Sequence, residues 1–549
     1  EIINKMLNFL NFQKPQRYIG NELGVVKKDH HKKNSFCLCY PSLYEIGMDN
    51  LGLRIIYSLL NSYPDIVCER AFMPGEDILE FLKEKKQLLF SLESKTPLAK
   101  FDLVGFNFGY ELNYLNFLEM LKQGGLSLKS KQRKNTIVIG GGIANPQPLA
   151  DFVDVFCLGE FEAVSDEFVK VLRKHKTKQD RLIAFSQIDG FYVPQFYNLS
   201  FSNNCYHLKK KHPKANSLIK RLKVKNLDKS FFPLNWITPH TRLTQDRVSI
   251  EIARGCINNC NFCQARNIYY PYREKKIKTI LDAIKTIYKN TGYEKFSLLS
   301  LSASDYSQIE QLIDALLPFI KKHKISLSLP SLRIGSRIEL IYKKLLAVQK
   351  TPLTVAVEAG TMDLRKKINK NIAVEQLFNS AKNLRQGGLK LIKVYFMYGF
   401  DQEEEKDLLA IGGFIKDLLE KTPFKVNASI NLFIPKPFSP WQDRPLPSLA
   451  SIREKKEVIL SNMPRSGRLK LAFSDIDKSL IEAVISRGDN KLGPVFIELE
   501  EKRKELLKKG QLFNWPVWRD SLEKNGIDWH KYLKGKTKNF PWSFIEERG

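Results

Sequence analysis

Two series of short apolar runs alternate with helical patterns along this chain of 549 residues, and that alternation constrains the fold most strongly. The first series has five runs of buried-strand length: FCLCY (36–40), DIVCE (65–69), FDLVGF (101–106), TIVIGG (136–141) and VDVFCLG (153–159). Helical patterns lie between them, near 47–62, 75–92 and 113–123. Strands that alternate with helices predict a doubly wound, Rossmann-like parallel sheet. Ligands on such a sheet bind at the carboxyl ends of the strands.

The second series begins at Arg247 and has six runs: RVSIEIA (247–253), KFSLLSLS (295–302), ISLSLPSL (325–332), LTVAVE (353–358), LKLIKVYFM (389–397) and KVNASINLFI (425–434). Helical patterns lie at about 277–290, 306–323, 336–349, 361–386 and 403–421. Six such units predict a partial (β/α)6 barrel of the TIM type. Barrel chemistry takes place at the carboxyl ends of the strands.

A chain of this length is expected to form more than one domain. The patterns predict these boundaries: a basic lead at 1–34, a Rossmann-like domain at 35–175, a linker at 176–245, the partial barrel at 246–445 and a helical region at 446–549. We expect the tryptophans of the last region to pack a small helical cap.

The loop that follows the first strand of the second series carries three cysteines. Cys256, Cys260 and Cys263 lie in RGCINNCNFCQAR (254–266) with the spacing C-x-x-x-C-x-x-C. Soft thiolate ligands favour zinc or an iron–sulfur cluster. A structural zinc site normally has a fourth protein ligand, and no histidine is spaced as one. Three thiolates therefore predict a [4Fe–4S] cluster with one iron open to a ligand.

The alternative is that these cysteines are buried, inert thiols that pack as small hydrophobic side chains. The loop argues against it, because Asn258, Asn259 and Asn261 make it polar and Gly255 precedes the first thiol.

With aromatic Phe262 just before its last cysteine, the loop resembles the signature of the radical S-adenosylmethionine (SAM) superfamily. The resemblance implies that the cysteines hold a [4Fe–4S] cluster and that SAM chelates the fourth iron. It also implies reductive cleavage of SAM to a 5′-deoxyadenosyl radical, with a low-potential electron donor of the flavodoxin or ferredoxin type as partner. A thiolate-held cluster predicts a reducing, cytoplasmic location.

Residues at the ends of the other strands are further candidates. The resemblance places Asp305, which ends SASD, near the amino group of SAM; a helix N-cap is the alternative role. Arg333 suits a carboxylate or phosphate, or a surface ion pair. VEAGT resembles the superfamily's E-x-G-[ST], which makes Glu358 a SAM or ribose ligand. Lys370 matches a basic family position that meets the SAM carboxylate, but we favour a solvated helix lysine for it.

The segment YFMYGFDQEEE resembles the superfamily's F-M-x-G-L-P-x-E-T. Gly399 and Glu403 match, which implies an adenine-side cofactor loop, whereas other residues replace the Leu, Pro and Thr of the pattern. FIPKPFSP (433–440) is also similar to the family, and implies that Lys436 or Phe438 faces the substrate.

A glycine-rich loop, Gly140, Gly141 and Gly142, follows the fourth run of the first series. Glycines let a backbone approach a phosphate or nucleotide closely, although a tight turn is the other explanation. With NPQPLADFVDVFCLGE after it, the loop resembles the cobalamin-binding domain of one radical SAM subgroup, in particular an uncharacterised branch. The D-x-H-x-x-G motif of many cobalamin proteins is absent, so a cofactor-free Rossmann-like domain is the alternative.

The chain has 88 basic and 59 acidic side chains, a net charge of +29. Such an excess suits a polyanionic partner such as RNA. The other explanation is a lysine bias spread over the whole chain. No run of about 18 apolar residues occurs, which predicts no membrane-spanning helix, and the first residues lack the features of a secretory signal.

These patterns favour a radical SAM enzyme that carries out cobalamin-assisted methylation, or another modification, of an unactivated carbon. Two alternatives stay open. One is a cobalamin-free radical SAM enzyme that modifies RNA or the ribosome, and the other is a non-enzymatic iron–sulfur protein.

Overall fold

The computed structural model describes residues 9–330, 333, 344, 352–372, 374–386, 388–535 and 539–546. The chain forms two compact units. The first comprises Glu1–Asp246, Val484–Trp529 and Thr537–Gly549, and the second comprises Arg247–Ala483 and His530–Lys536. The helix predicted at 336–349 lies outside the described residues, apart from one position.

The strands of the described ranges, numbered along the chain, have these bounds: β1 Asn34–Tyr40, β2 Ile66–Phe72, β3 Leu103–Asn107, β4 Ile137–Gly141, β5 Val155–Cys157, β6 Phe191–Tyr192, β7 Tyr197–Ser202, β8 Cys205–Lys210, β9 Ile219–Lys220, β10 Val248–Glu251, β11 Ala253–Arg254, β12 Arg273–Glu274, β13 Lys295–Leu299, β14 Ser326–Ser328, β15 Leu353–Glu358, β16 Leu391–Tyr398, β17 Lys425–Leu432, β18 Leu469–Phe473 and β19 Ile545–Glu546.

The α-helices of the same ranges are α1 Gln16–Ile19, α2 Tyr44–Gly47, α3 Leu51–Ser62, α4 Glu76–Glu84, α5 Tyr114–Gln123, α6 Ser165–Lys174, α7 Lys178–Phe185, α8 Ala265–Ile268, α9 Ile277–Thr291, α10 Ile309–His323, α11 Met362–Lys367, α12 Glu375–Gln386, α13 Glu405–Lys421, α14 Leu449–Ser461, α15 Ile476–Arg487, α16 Gly493–Glu501, α17 Arg503–Lys508, α18 Trp515–Lys524 and α19 His530–Leu533. In these ranges no helix has the length and apolar character that a membrane crossing requires.

The first unit is organised around a six-stranded sheet in the order β2-β1-β3-β4-β5-β6. Strands β1 to β5 are parallel, and β6 is antiparallel to β5. All residues of β2 are buried, and so is most of β1. A sheet covered on both faces is typical of doubly wound folds, because crossover helices lie on each side. The predicted Rossmann-like fold is confirmed.

The second unit contains two parallel sheets, β10-β13-β14 and β15-β16-β17-β18. They form the predicted partial barrel, and in the described ranges helices follow β13, β15, β16 and β17. Strand β18 was not foreseen, since it lies in the region predicted to be helical. Strand β18 is short, and it is stabilised by backbone hydrogen bonds to β17. A pairing between distant segments leaves no signal in the local sequence pattern. The helical pattern at 361–386 is two helices, α11 and α12, and Asn369 between them has a positive φ of 55°.

The C-terminal helices α16 to α18 belong to the first unit, although they follow the second unit in the chain. Phe496 of α16 contacts Phe152 and Tyr114 of the first unit. Trp515 and Trp518 of α18 are buried. These aromatic side chains therefore complete a core that was begun some 350 residues earlier.

Candidate active site

The three cysteines lie on a loop that leaves strand β11 through Gly255. Gly255 has a φ of +90°, and a Cβ atom there would lie 2.7 Å from the carbonyl oxygen of Tyr269 and 2.8 Å from that of Pro271. A side chain would therefore be strained and would also collide with backbone. Only glycine lets the chain turn here and carry its first thiol away from the strand.

Cys256, Cys260 and Cys263 all have free thiols; Cys260 is buried and the other two are half-buried. The Sγ atom of Cys256 accepts hydrogen bonds from the backbone N–H of Asn258 at 3.4 Å and from its side-chain amide at 3.5 Å. Burial raises the pKa of the Cys260 and Cys263 thiols, whereas the nearby Lys370 ammonium lowers it. A cation beside a thiol favours its thiolate, which is the form that binds metals.

The arrangement of the three cysteines can be compared with the needs of a single metal ion and of an iron–sulfur cluster. In the part of the chain that the structure describes, no group of three or more His, Cys, Asp and Glu side chains is arranged to hold one metal ion. A [4Fe–4S] cluster has a different requirement, because each thiolate binds its own iron atom. Three free thiols on one polar loop, with cations beside them, fit this requirement.

The side chain of Asn258 connects the cysteine loop to the ends of two strands. Its Nδ2 atom donates to the Oδ2 atom of Asp305 at 2.6 Å, and its Oδ1 atom accepts from the Arg333 guanidinium. The backbone N–H of Arg333 donates to Ser304 Oγ at 3.0 Å. Sequence reasoning treated Asn258 only as a polar loop residue. Its position between the first two cysteines was the one signal that it had a role.

Removal of this amide has a predicted result. We expect Asn258→Leu to keep the iron content of the protein, because all three thiols remain, but to slow SAM cleavage about tenfold as Asp305 and Arg333 lose a charge-assisted hydrogen bond. Iron content and the rate of 5′-deoxyadenosine release measure the two effects. Asn259→Leu is the matched control, since the Asn259 side chain is exposed on the same loop. Equal rates for the two variants would contradict the assigned role.

Glu358 is the last residue of β15 and lies at a register shift in that strand. It has a positive φ of 71°, which is rare for a residue other than glycine and is often found at functional sites. Burial raises the pKa of its carboxyl group, and Lys370, with Nζ 3.4 Å from Oε1, opposes that rise. The sequence interpretation of Lys370 as a solvated helix lysine is wrong. This lysine lies beyond α11, beside both Glu358 and the thiol of Cys260.

Two later segments hold the cysteine loop in place. The backbone N–H of Asn261 donates to the carbonyl oxygen of Ile368 at 3.0 Å. The side-chain amide of Asn369 donates to the backbone carbonyl oxygen of Asn259 at 2.7 Å. The backbone N–H of Trp441 donates to the carbonyl oxygen of Asn261 at 3.1 Å. The loop geometry therefore depends on contacts with residues more than 100 positions away.

Phe262 contacts a hydrophobic cluster whose members are Ala359, Leu364, Ile368, Phe400, Phe433 and Trp441, with Met397 packed at its edge. The rings of Phe400 and Phe433 lie 4.8 Å apart, centroid to centroid. An aromatic wall of this kind excludes water from the side of the cysteine loop. Phe400 is one of the residues that departs from the family pattern, and its ring is part of this wall.

Gly399 and Glu403 form a turn after β16. Gly399 has a φ of +92°, and its N–H donates to Oε2 of Glu403 at 2.8 Å. Lys455 of α14 lies 3.2 Å from the same oxygen, and burial raises the pKa of Glu403 to about 7. The carboxylate thus closes the turn and pairs with a lysine of the protein. The predicted cofactor contact of these two residues stays a prediction.

Lys436 and Phe438, which were predicted to face the substrate, follow β17. Lys436 forms an ion pair with Glu482 at 2.7 Å, and Phe438 is buried. Within the second unit, Lys436 is therefore held in an ion pair and the Phe438 side chain is packed away from solvent.

The glycine loop of the first unit is shaped by packing. A Cβ atom on Gly140 would lie 2.8 Å from the ring of Phe156, and one on Gly142, where φ is +73°, would lie 2.6 Å from Asn107 Oδ1. At Gly141 the nearest atom to a Cβ would be 3.7 Å away. The first and third glycines are thus required by their surroundings, whereas a Cβ atom at the second would make only an ordinary van der Waals contact.

The fold and the loop together define a class: an α/β protein with three free cysteines on one loop beyond the first strands of a partial barrel. Two family models match the chain. "Radical SAM proteins, N-terminal" matches residues 52–194, and "Radical SAM superfamily" matches residues 250–415. These segments make up more than half of the chain, which belongs to the radical SAM superfamily. It is therefore a radical SAM enzyme, and this family implies a [4Fe–4S] cluster, SAM and an electron donor.

Among curated proteins, an uncharacterized protein of Methanocaldococcus jannaschii is 25% identical over 498 residues, which cover 88% of this chain and 98% of that protein. The ribosomal protein uS12 methylthiotransferase RimO of Treponema denticola is 26% identical over 194 residues, which cover 31% of this chain and 41% of that protein.

Two solved structures are also similar. The radical SAM methyltransferase TsrM from Kitasatospora setae, with cobalamin and a [4Fe-4S] cluster bound, has a TM-score of 0.48 and 12% identity, covering 75% of this chain and 74% of that chain. The cobalamin-dependent SAM radical enzyme OxsB has a TM-score of 0.48 and 12% identity, covering 90% of this chain and 76% of that chain.

Proposed function

We propose that this protein cleaves SAM reductively at a [4Fe–4S] cluster held by Cys256, Cys260 and Cys263. The observation that carries the proposal is the set of three free thiols on one loop, with Lys370 and Arg333 beside them. When bound, the cluster and SAM supply a 5′-deoxyadenosyl radical that abstracts a hydrogen atom from a substrate carbon. We also propose a cytoplasmic location and an electron donor of the flavodoxin or ferredoxin type.

The chain's own residues bind and orient. Lys370 and Arg333 place positive charge beside the thiols, where it stabilises thiolates and any carboxylate held nearby. Asp305, held by Asn258, is an acceptor for an ammonium group. The aromatic wall at Phe262 excludes water from that side of the loop, which limits side reactions of a reactive species.

The test uses the wild-type protein, reconstituted anaerobically with iron and sulfide. With dithionite and SAM, we expect release of 5′-deoxyadenosine, measured by liquid chromatography. A sample without dithionite is the control and should release none. Iron-loaded protein that never cleaves SAM would overturn the proposal and would favour the non-enzymatic alternative.

We further propose that the first unit binds cobalamin and that the reaction is methylation of carbon. The sheet has the strand order 2-1-3-4-5, whose topological switch point lies between β1 and β3. At the carboxyl ends there, Asn107 Nδ2 donates to Asn50 Oδ1 at 3.2 Å, and Gly141 is the last residue of β4. Polar amides beside a small residue suit a large polar cofactor. The segment 44–52 has no histidine, so a cobalt ligand from the D-x-H-x-x-G position is excluded.

Titration of the reconstituted protein with hydroxocobalamin, followed by gel filtration, tests this second proposal. We expect cobalamin to remain with the protein, as judged by visible absorption. Replacement of Gly141 by Leu places a bulky side chain at the end of β4 and should weaken retention. If cobalamin elutes separately from the wild-type protein, the cobalamin proposal is overturned. The proposal that the protein cleaves SAM would still stand.

The net charge of +29 favours a second candidate substrate class, RNA or a ribosomal component. Strand β8 ends in two exposed lysines, Lys209 and Lys210. A gel-shift assay with tRNA and rRNA across a salt series tests this candidate. A steep decrease of affinity with salt would support it, and no binding at low salt would exclude it.

A further inference from the structure

The sheet of strands β15 to β18 has two different faces. Buried apolar residues alternate with less buried ones along β15, β16 and β17. The buried face lies under helix α13, where the rings of Phe396 and Phe414 are 5.6 Å apart. The opposite face carries these residues: Thr354, Ala356, Glu358, Lys393, Tyr395, Met397, Asn427, Ser429, Asn431, Lys470 and Ala472.

The strand register arranges this opposite face in layers. Thr354, Lys393, Asn427 and Lys470 pair in one row across the four strands. The next row contains Ala356, Tyr395, Ser429 and Ala472, and the third pairs Met397 with Asn431. Successive rows are about 7 Å apart, since each is two residues further along its strand.

The third row is the one that reaches the candidate active site. Met397 packs at the edge of the aromatic cluster that contacts Phe262, and Glu358 at the end of β15 pairs with Lys370. The face is thus continuous with the cysteine site, and its first row lies about 13 Å away along the strands.

Three polar side chains of this face have no partner among the described residues. The ammonium of Lys393, the hydroxyl of Tyr395 and the amide of Asn427 make no hydrogen bond or ion pair there. Three other lysines of the unit that are not exposed form ion pairs: Lys436 with Glu482, Lys455 with Glu403 and Lys370 with Glu358. The half-buried ammonium of Lys393 is therefore available to a ligand.

The charge of the first row has one sign. Lys393 and Lys470 flank Asn427 in that row, and no acidic residue belongs to it. Lysines on either side of an amide donor form a site for an anion. The flexible stem of Lys393 also lets its ammonium reach the neighbouring row, where the hydroxyl of Tyr395 lies.

We propose that this face binds the substrate, and that Lys393, Asn427 and Lys470 bind an anionic group of it, a carboxylate or a phosphate. This inference rests on the proposed function. The substrate is an elongated, anionic molecule, whose charged end lies in the first row and whose reacting carbon lies near Met397, about 13 Å further along the strands. Tyr395 and Ser429 supply hydrogen bonds between these two ends. Lys393, Asn427 and Lys470 are thus specificity-determining residues.

The test measures protection of lysines in the wild-type holoprotein. The protein is acetylated with a limiting amount of acetic anhydride, with and without inorganic phosphate or malonate, and each lysine is quantified by mass spectrometry. We expect phosphate or malonate to slow acetylation of Lys393 and Lys470 at least threefold. Lys416, exposed on helix α13, which covers the buried face of the sheet, is the internal control and should be unaffected. Phosphate protection points to a phosphorylated substrate, and malonate protection points to a carboxylate.

A variant provides a second measurement. Lys393→Met should weaken the binding of the protecting anion about tenfold, measured by isothermal titration calorimetry, while Lys416→Met should leave it unchanged. Lack of protection of Lys393 by either anion, or equal affinity of the two variants, overturns the proposal. Release of 5′-deoxyadenosine by the wild-type protein is measured in parallel. If the wild-type protein releases no 5′-deoxyadenosine, the proposed function is refuted. If it releases 5′-deoxyadenosine but its lysines are not protected, only the anion site is refuted.

Discussion

Replacement of Cys256, Cys260 and Cys263 together by alanine abolishes iron binding and SAM cleavage. The three thiols are free, and under the proposed function each binds its own iron atom. We expect reconstituted variant protein to be colourless, with iron content at background and 5′-deoxyadenosine below detection. Iron and sulfide analysis, visible absorption and liquid chromatography measure these results. Because the loop is held by backbone contacts that alanine preserves, the fold should persist.

The matched control for the cysteine variant is Cys205→Ala. Cys205 is also a free, half-buried thiol, but it lies on strand β8 of the first unit. This variant should keep wild-type iron content and SAM cleavage. Circular dichroism of all three proteins separates loss of ligands from loss of fold. Iron retained by the triple variant would contradict the assignment of the site.

Replacement of Arg70 by methionine destabilises the first unit by about 3–5 kcal/mol, because it leaves buried carboxylates without their cation. Arg70 is fully buried and lies 2.8 Å from Glu22 and 2.7 Å from Glu93. Tyr44 also donates to Glu22, at 2.8 Å. The guanidinium of Arg70, on strand β2, therefore neutralises the buried carboxylates of Glu22 and Glu93. Urea unfolding followed by circular dichroism measures the loss.

The effect of Arg70→Met depends on pH. Although burial raises the pKa of Glu22, the Arg70 guanidinium opposes this and holds it at about 2, below the ordinary value of 4.5. The stability gained from this depressed pKa is present above pH 4.5 and is lost as the pH falls through about 2. The difference between wild type and variant should therefore shrink as the pH falls from neutral toward 2. A difference that grows in acid would contradict this account.

Arg173→Met is the matched control for this prediction. Arg173 forms an ion pair with Asp65 at 2.7 Å, but both side chains are substantially exposed. An exposed pair contributes little to stability, since water screens its charges. A loss for Arg173→Met as large as that for Arg70→Met would show that burial does not decide the effect.

Local patterns in the sequence determined the two parallel sheets and the cysteine loop. Continuous apolar runs predict buried strands because a strand covered on both faces has no polar side. The spacing of Cys256, Cys260 and Cys263 predicts one centre because three thiols on eight residues of loop cannot lie far apart. These features depend on neighbours in the chain, so the sequence alone carries them.

The tertiary structure decided which distant residues join these features. Lys370 was interpreted as a solvated lysine, yet it lies beside Cys260, about 110 positions earlier in the chain. Asn258 gained its role only when Asp305 and Arg333 reached it from two strand ends. Strand β18 and the helices α16 to α18 found their partners in the same way. Such contacts depend on the order of the strands in the sheets and on the path of the chain between them. Neither can be predicted from local periodicity or residue spacing.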